Sequence, residues 1–585
     1  MSKELSSAVV LLLLLCCTRG FGAPTEERKP THENINGGYG CAACTALVAI
    51  VEQLAEIKNS TVVETLDYLC YILPVELRPS CRAALEFLGP MLVVLVEHKV
   101  GPDVACHALT FCYTNPGQPT CHSMIPPLHR RLKGPSMTFE EKVLEAKQRI
   151  QFRMKKTRGP QNICEVPGVK DICNWLRKAF KGRKPSVDFD NDMFSISQGL
   201  RGSSWRGKDC SDTSRNVYPG TKPLAEDRTF DSNCNGIFGV NKKTARSYEE
   251  ELCGASQPRG VAVLGDSISA HFHMPPQWLD ATLISEKVFE HLILVVENEI
   301  DWPMLSTVTG HGKNNWTEVI TGPIDSLYLR IRDRNRCNHR DYQNIAANGE
   351  DSIGMQNLVK TLARNPQRDH PIIVLYALIG NDVCNGYPDT VAHMTTPQAM
   401  YDNTVNTLEH LHATLPNNSH VIMMGLADAR ILYNSMGHRI HPVATHWGHF
   451  TYGQFYDFMN CLQISPCSGW LTTNGTLRNL TAERAEELSE ALRKVYRDHK
   501  KSYYNFDLHF IENPMPNAVR EWVKHGGEAW QLIEPSDGFH SNQIGQALLA
   551  KVLWREFETK HPEILGPVNP NNEEIGRLFG NQGGY

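Results

Sequence analysis

Four short stretches of the chain carry the residue types that acyl-ester chemistry uses. In "VLGDSIS" (263–269) an apolar run stops on Gly265, Asp266 and Ser267. "STVTGHG" (306–312) offers Gly310, with Gly312 two residues on, and "IGND" (379–382) offers Asn381. "PSDGFHSN" (535–542) sets Asp537 three residues before His540. Hydrolysis by a serine needs a nucleophile, an imidazole base, an acid that fixes its tautomer, and donors for the tetrahedral oxyanion. Each type is present. Gly-Asp-Ser alone is ordinary turn chemistry, so what matters is whether the four stretches reach one place.

If "ISAHF" opens a helix, the Ser267 N–H sits at its N-terminus and suits a developing negative charge. A glycine N–H at 310 can approach closely without a Cβ in the way, and Asn381 can present its amide at a strand end. On a tight turn, Asp537 accepts from one nitrogen of His540 while the other faces Ser267. His271 and His273 follow Ser267 closely and are expected to line the pocket, because a helix turns at least one of them away from the base position. His438, His441, His446 and His449 crowd one stretch but lack a recognised zinc-ligand spacing. "NHRDY" (338–342) reads as a satisfied polar loop.

Positioning these residues is a task for strand ends. "GVAVLGDS", "PIIVLYALIGND" and "HVIMMGLAD" are apolar runs ending in polar residues, and "TAERAEELSEALRKVYRDH" reads as a helix with Thr481 near its N-cap. Buried strands alternating with helices predict a parallel α/β sheet whose site lies at the carboxyl ends of the strands. The ordered set Gly-Asp-Ser, Gly, Gly-Asn-Asp, Asp-x-x-His resembles the SGNH (GDSL-type) hydrolase family. That resemblance implies Ser267 as nucleophile, Gly310 and Asn381 as oxyanion donors with the Ser267 amide, and Asp537–His540 as the orienting pair. It also implies a flavodoxin-like αβα sandwich; the Gly-x-Ser-x-Gly elbow of the larger lipase fold is absent. Asp266 and Asp382 are expected to bond loop amides around their neighbours.

The 585 residues exceed a single core and suggest roughly three or four domains. A net charge of −5 argues against a whole-chain nucleic-acid binder. Lys3, the apolar run Ala8 to Cys17 and the small residues Gly20 to Ala23 read as a secretory signal. No later stretch reaches about 18 uninterrupted apolar residues, so the mature chain is expected to be soluble and either secreted or in a lysosomal or vesicular lumen. Of 18 cysteines, Cys16 and Cys17 leave with the signal, and an even number remains for an oxidising compartment. Sequons at Asn59, Asn315, Asn417, Asn474 and Asn479 fit that route as glycosylation sites.

The segment 37–125 is helical in pattern, with stripes at Leu47, Ile50, Val51, Leu54 and at Leu85, Leu88, Val93, Val96. Six of its cysteines (Cys41, Cys44, Cys70, Cys81, Cys106, Cys112) are spaced as in the saposin-B family, which this segment resembles. The resemblance implies Cys41–Cys112, Cys44–Cys106 and Cys70–Cys81 and a V-shaped, lipid-docking helical domain. Cys121 is left to pair outside it. Residues 126–185 hold 16 Lys/Arg against 5 Asp/Glu, clustered at His129-Arg130-Arg131, Lys155–Arg158 and Lys181–Lys184. Such a linker presents cleavage sites, attracts anionic surfaces, or is merely solvated.

In 186–255 two loops alternate oxygen-bearing residues as Ca²⁺ requires. The first is Asp188, Asp190, Asp192 and the Phe194 carbonyl; the second is Asp231, Asn233, Asn235 and the Ile237 carbonyl. Neither has a carboxylate at position 12, and Asp209, Asp212 and Asp227 are in reach. The expected divisions are a signal peptide (1–23), a propeptide (24–36), the saposin-like domain, the basic linker, the calcium-binding region, the hydrolase (256–565) and a tail (566–585). Joined in this order, the parts resemble a family of lipases that release the secondary, acyloxyacyl-linked fatty acids of lipopolysaccharide lipid A and detoxify endotoxin. This implies lipopolysaccharide in membranes or micelles as partner, and cleavage into small and large subunits joined by a disulfide through Cys121. Two other readings stay open: a general lysosomal phospholipase B-like enzyme, and a lipid-binding or transfer protein with a vestigial hydrolase.

Overall fold

The computed structural model describes residues 35–124, 137–153, 183–313 and 315–585. The signal peptide, most of the propeptide, the basic clusters at 129–131 and 155–158, and Cys164 and Cys173 lie outside the described residues. Helices α1 (Gly38–Lys58), α2 (Val62–Tyr71), α3 (Arg78–Glu97) and α4 (Pro102–Ala108) build the N-terminal module. Three disulfides staple it as Cys41–Cys112, Cys44–Cys106 and Cys70–Cys81. By length and composition α1 with its preceding turn is apolar enough to cross a bilayer, but more than half of that stretch is buried within the fold.

Two divisions expected from the sequence change. The basic linker holds a helix, α5 (Phe139–Arg153). Its Phe139, Val143, Ala146 and Ile150 recur at i, i+4, i+7 and i+11, and pack with Cys41, Leu92, Val104 and Ala105 of the module. A narrow apolar stripe in a strongly charged sequence is enough to dock it. The presumed tail is also structured: Ile575 on helix α12 (Asn572–Phe579) is fully buried, and Tyr585 packs among Tyr328, His339 and Tyr342.

The hydrolase sheet has five strands, β1 (Gly260–Gly265), β2 (Tyr342–Asn344), β3 (Ile372–Ala377), β4 (Ser419–Met424) and β5 (Phe506–Ile511). They are all parallel in the order β2-β1-β3-β4-β5, the flavodoxin-like order. Alternate residues of β1 and β3 face two different cores. Ala262, Leu264, Val374 and Tyr376 meet helices α7 (Ser352–Leu358), α8 (Pro397–Thr414) and α10 (Gly475–His499). Val261, Val263, Ile373 and Leu375 meet α11 (Gln543–Lys560) through Leu553, Trp554 and Phe557. Burial on both faces is why these strands read as continuous apolar runs.

Helix α10 starts earlier than Thr481. Asn474 caps it by accepting from the Leu477 N–H (3.1 Å), and Thr481 lies inside, its hydroxyl donating to the Leu477 carbonyl. Cys121 bonds Cys461 at the end of α9 (Tyr452–Cys461), fastening the N-terminal module to the hydrolase. Cys210–Cys234, Cys253–Cys337 and Cys384–Cys467 complete the pairs among the described residues. Disulfides in this number fit folding in an oxidising compartment. The asparagines of all five sequons are exposed.

Candidate active site

Ser267 opens the short helix α6 (Ser267–Ala270) directly after β1, at the carboxyl edge of the sheet. Its neighbour Asp266 works as a clamp. One carboxylate oxygen accepts from the Ile268 N–H (3.0 Å), the other from Ile379 (2.7 Å) and Gly380 (3.3 Å) beyond β3. Burial raises the Asp266 pKa, and those backbone donors oppose the rise. Asp382 does the same one loop further on, accepting from the N–H and hydroxyl of Ser352 at the start of α7. Burial lifts its pKa to about 6.

The base arrives from the far end of the chain. His540 Nε2 lies 2.7 Å from Ser267 Oγ, and His540 Nδ1 lies 2.5 Å from Asp537 Oδ2. Asp537 Oδ1 also accepts from the N–H groups of Phe539 and His540, so the carboxylate is locked to its own turn. With Nδ1–H given to Asp537, Nε2 is the basic nitrogen and accepts from the serine hydroxyl. Ser267 and His540 are each about 7% exposed, which shields the pair from bulk water without sealing it.

The turn carrying Asp537 and His540 is tightly held. The Tyr456 hydroxyl donates to the Gly538 carbonyl (2.8 Å), Tyr452 to the Pro535 carbonyl, and His441 Nε2 to the Ser536 carbonyl (3.0 Å). Gly538 has φ +65, and a Cβ there would run into the Tyr456 hydroxyl. His271 and His273 do not line a pocket as expected: they are 0% and 5% exposed. Burial holds the His271 pKa well below its usual value. His273 Nδ1 instead meets the buried Glu534 carboxylate at 2.6 Å. Burial disfavours its charge, but Glu534 and the Val319 carbonyl outweigh this and raise its pKa. Glu534 then donates its backbone N–H to the His540 carbonyl (2.7 Å). Phe272, between the two histidines, sets its ring 4.7 Å from that of His540. A second histidine–carboxylate contact thus ties the nucleophile's segment to the base's turn. Glu534 stands three residues before Asp537, and only tertiary contact reveals its role.

Oxyanion donors require one correction. Gly310 spends its N–H on the Ser306 carbonyl (2.9 Å), and its own carbonyl accepts from the Ser326 hydroxyl. It shapes a buried turn; its N–H is not available to a substrate. The loop after β2 reaches the site instead. Ala347 N–H bonds the Gly265 carbonyl, and Asn381 Nδ2 donates to the Glu350 carbonyl (3.0 Å). Gly349, with φ +72, lies between those two contacts. Asn381 uses one of its two amide protons on Glu350, leaving the other for a ligand. "NGED" (348–351) was the available signal, a glycine just past a strand too short and polar to recognise.

The other sequence candidates separate. His441 holds the base turn, His446 faces Glu56 (3.3 Å) and His449 bonds the Trp447 carbonyl, so these three histidines do not converge. Asp188, Asp190 and Asp212 bring carboxylate oxygens within 4.8 Å of one another, and so do Asp190, Asp192 and Asp209. One oxygen each of Asp190, Asp192, Asp209 and Asp212 is buried with no partner. Burial, with the neighbouring carboxylates adding to it, raises Asp192 to about 8 and Asp209 to about 6. Orphaned acidic oxygens at this density fit a hard divalent cation.

The second loop is arranged differently. Asp231 accepts from the N–H groups of Asn235 and Gly236, while the Asn233 and Asn235 amides donate to Glu249. Glu249 was not anticipated; burial lifts it to about 8. Asp227 binds Ser232 beside this loop rather than the first. The Phe194 and Ile237 side chains are buried under their respective loops.

A sheet in flavodoxin order, with a serine, histidine and aspartate bonded in series at its carboxyl edge, defines a serine ester hydrolase of the SGNH class carrying a saposin-type module. Comparison with known proteins agrees. Residues 261–553 match the GDSL-like Lipase/Acylhydrolase family and residues 40–174 the Saposin-like domain family, the latter spanning α5 as well. Acyloxyacyl hydrolase of Homo sapiens is 41% identical, covering 100% of this chain and 99% of the relative. The Mus musculus enzyme is 42% identical (98% and 98%) and the Oryctolagus cuniculus enzyme 44% (94% and 94%). The chain belongs to the acyloxyacyl hydrolase family and is a lipid ester hydrolase.

Proposed function

We propose that the chain releases secondary, acyloxyacyl-linked fatty acids from lipopolysaccharide lipid A, with Ser267 as nucleophile. The observation that carries this reading is the series Asp537–His540–Ser267, at 2.5 and 2.7 Å. His540 Nε2 takes the Ser267 proton as Oγ attacks the acyl carbonyl, and Asp537 stabilises the imidazolium. The negative charge on the carbonyl oxygen is met by the Ser267 N–H, the Gly349 N–H and the free Asn381 amide proton. Collapse expels the hydroxyl of the underlying 3-hydroxyacyl chain, protonated by His540; water then cleaves the acyl-enzyme by the same route reversed.

The substrate reading is supported by the N-terminal module. Leu47, Ile50, Leu66, Leu85, Leu88 and Trp278 are among the residues lining an apolar pocket between that module and the hydrolase. Acyl chains drawn from a membrane or micelle of lipopolysaccharide can stay out of water there. In this reading the chain is secreted or reaches a lysosomal lumen. Cleavage within 126–185 would leave small and large subunits joined by Cys121–Cys461. Ca²⁺ would be held by Asp188, Asp190, Asp192, Asp209 and Asp212, with Asp231 and Glu249 at the second loop, and would neutralise their crowded charge.

The test is mass spectrometry of products from lipid A of defined acylation. The secondary chains should leave with wild type and none should leave with Ser267→Ala. Undiminished fatty-acid release by the purified variant would overturn the assignment.

A further inference from the structure

A second cluster of chemically capable side chains lies away from the carboxyl edge that bears Ser267. His509 on β5, His561 just past α11, and Glu563 in the short helix Pro562–Leu565 bring ligand atoms within 4.8 Å of one another. Glu563 Oε1 is 3.8 Å from His509 Nδ1 and 3.5 Å from His561 Nδ1. Neither contact is a good hydrogen bond. The His561–Glu563 separation is instead close to the spacing of two ligands on one tetrahedral ion, ~3.3–3.4 Å for bonds of 2.0–2.1 Å, and the His509–Glu563 separation reaches it with a side-chain shift of about half an ångström. The geometry points to a transition-metal site, Zn²⁺ by its donor set, formed by His509 Nδ1, His561 Nδ1 and Glu563 Oε1.

The surroundings prepare these groups for that role. His420 on β4 puts Nδ1 3.3 Å from His509 Nε2. It can accept the Nε2 proton and so leave Nδ1 of His509 as the lone-pair nitrogen, the outer-shell arrangement typical of metal-bound imidazole. Arg259 donates to the backbone carbonyls of Glu563 and Ile564, fixing the turn that presents the carboxylate. His561 and Glu563 are 25% and 50% exposed in their side chains, so an ion has a path in and room for water as its fourth ligand. The bound ion would pin the end of α11 to strand β5. It is remote from ester chemistry, since β5 is the outer strand and two strands separate it from β1.

Co²⁺, which shows visible d–d absorption in sites of this kind, is titrated into the full chain with excess Ca²⁺ present to fill the acidic loops. Wild type should bind one equivalent with a visible band, displaced by Zn²⁺. The double variant His561→Gln, Glu563→Gln changes only partly exposed side chains and should lose the band while keeping its esterase turnover. His420→Gln should weaken binding by roughly 10- to 100-fold. A Co²⁺ titration identical for wild type and the double variant, or no visible band at saturation, would overturn the site.

Discussion

Ser267, Asn381, Asp537 and His540 were legible because each ends a strand or sits on a turn, and one sheet edge collects such positions. Gly310 was a plausible partner by type alone. A glycine's usefulness depends on where its N–H points, and at 310 that direction is set by the Ser306 carbonyl. The two oxyanion assignments therefore separate by experiment. Asn381→Ala should lower kcat by about 10²–10³ with little change in thermal stability. Gly310→Ala places a Cβ 2.5 Å from the Ser306 carbonyl oxygen. It should cost about 1–3 kcal/mol of stability by overpacking, with kcat per folded molecule near wild type. Parallel denaturation curves and active-site titration decide it; loss of kcat in a fully stable Gly310→Ala would restore that glycine to the oxyanion hole.

Elements were readable in proportion to their burial. β1, β3 and β4 announce themselves as apolar runs, whereas β2 is Tyr-Gln-Asn and β5 interleaves Asp507 and His509 with its apolar residues. Missing β2 hid the loop bearing Gly349. The acidic loops stand out for a different reason: oxygen-bearing residues recur at alternate positions, and the carboxylates of Asp190, Asp192 and Asp209 converge. Their charge makes a pH prediction. Asp192 and Asp209 have folded pKa values of about 8 and about 6, above the ordinary 3.8. An acid whose pKa rises on folding contributes stability that is whole below its unfolded pKa and is lost as pH climbs through the folded values. Cation-free protein should therefore lose stability from about pH 4 to about pH 8. In the proposed Ca²⁺ role, binding at these carboxylates would offset that loss, so its effect on Tm should grow across this range. Calorimetry with and without EGTA at several pH values measures it; a Ca²⁺ shift independent of pH would mean these carboxylates are not the ligands.

At the scale of the whole molecule, cysteine spacing marked out the N-terminal module, but how it sits on the hydrolase could not be read. Cys121 and Cys461 are 340 residues apart, and only docking brings them together. Gln53 Nε2 donates to the Val443 carbonyl (2.7 Å) and Arg78 meets Glu286 (2.7 Å) across the same junction. One apolar cluster crosses it, running from Ile50 and Leu85 through Trp278 and Trp302 to Phe272, whose ring faces His540. A chain held in the pocket thus has continuous apolar contact toward the catalytic base. Filling the pocket without touching that base isolates its role. Leu85→Trp and Leu88→Trp, at half-buried lining positions, should lower kcat/KM on micellar long-chain lipid by roughly tenfold, the equivalent of about 1.4 kcal/mol of lost binding. A soluble short-chain ester needs no such pocket and should be turned over at the wild-type rate. Equal losses on both substrates would mean the substitutions disturb the triad; no loss on micelles would mean the acyl chains lie elsewhere.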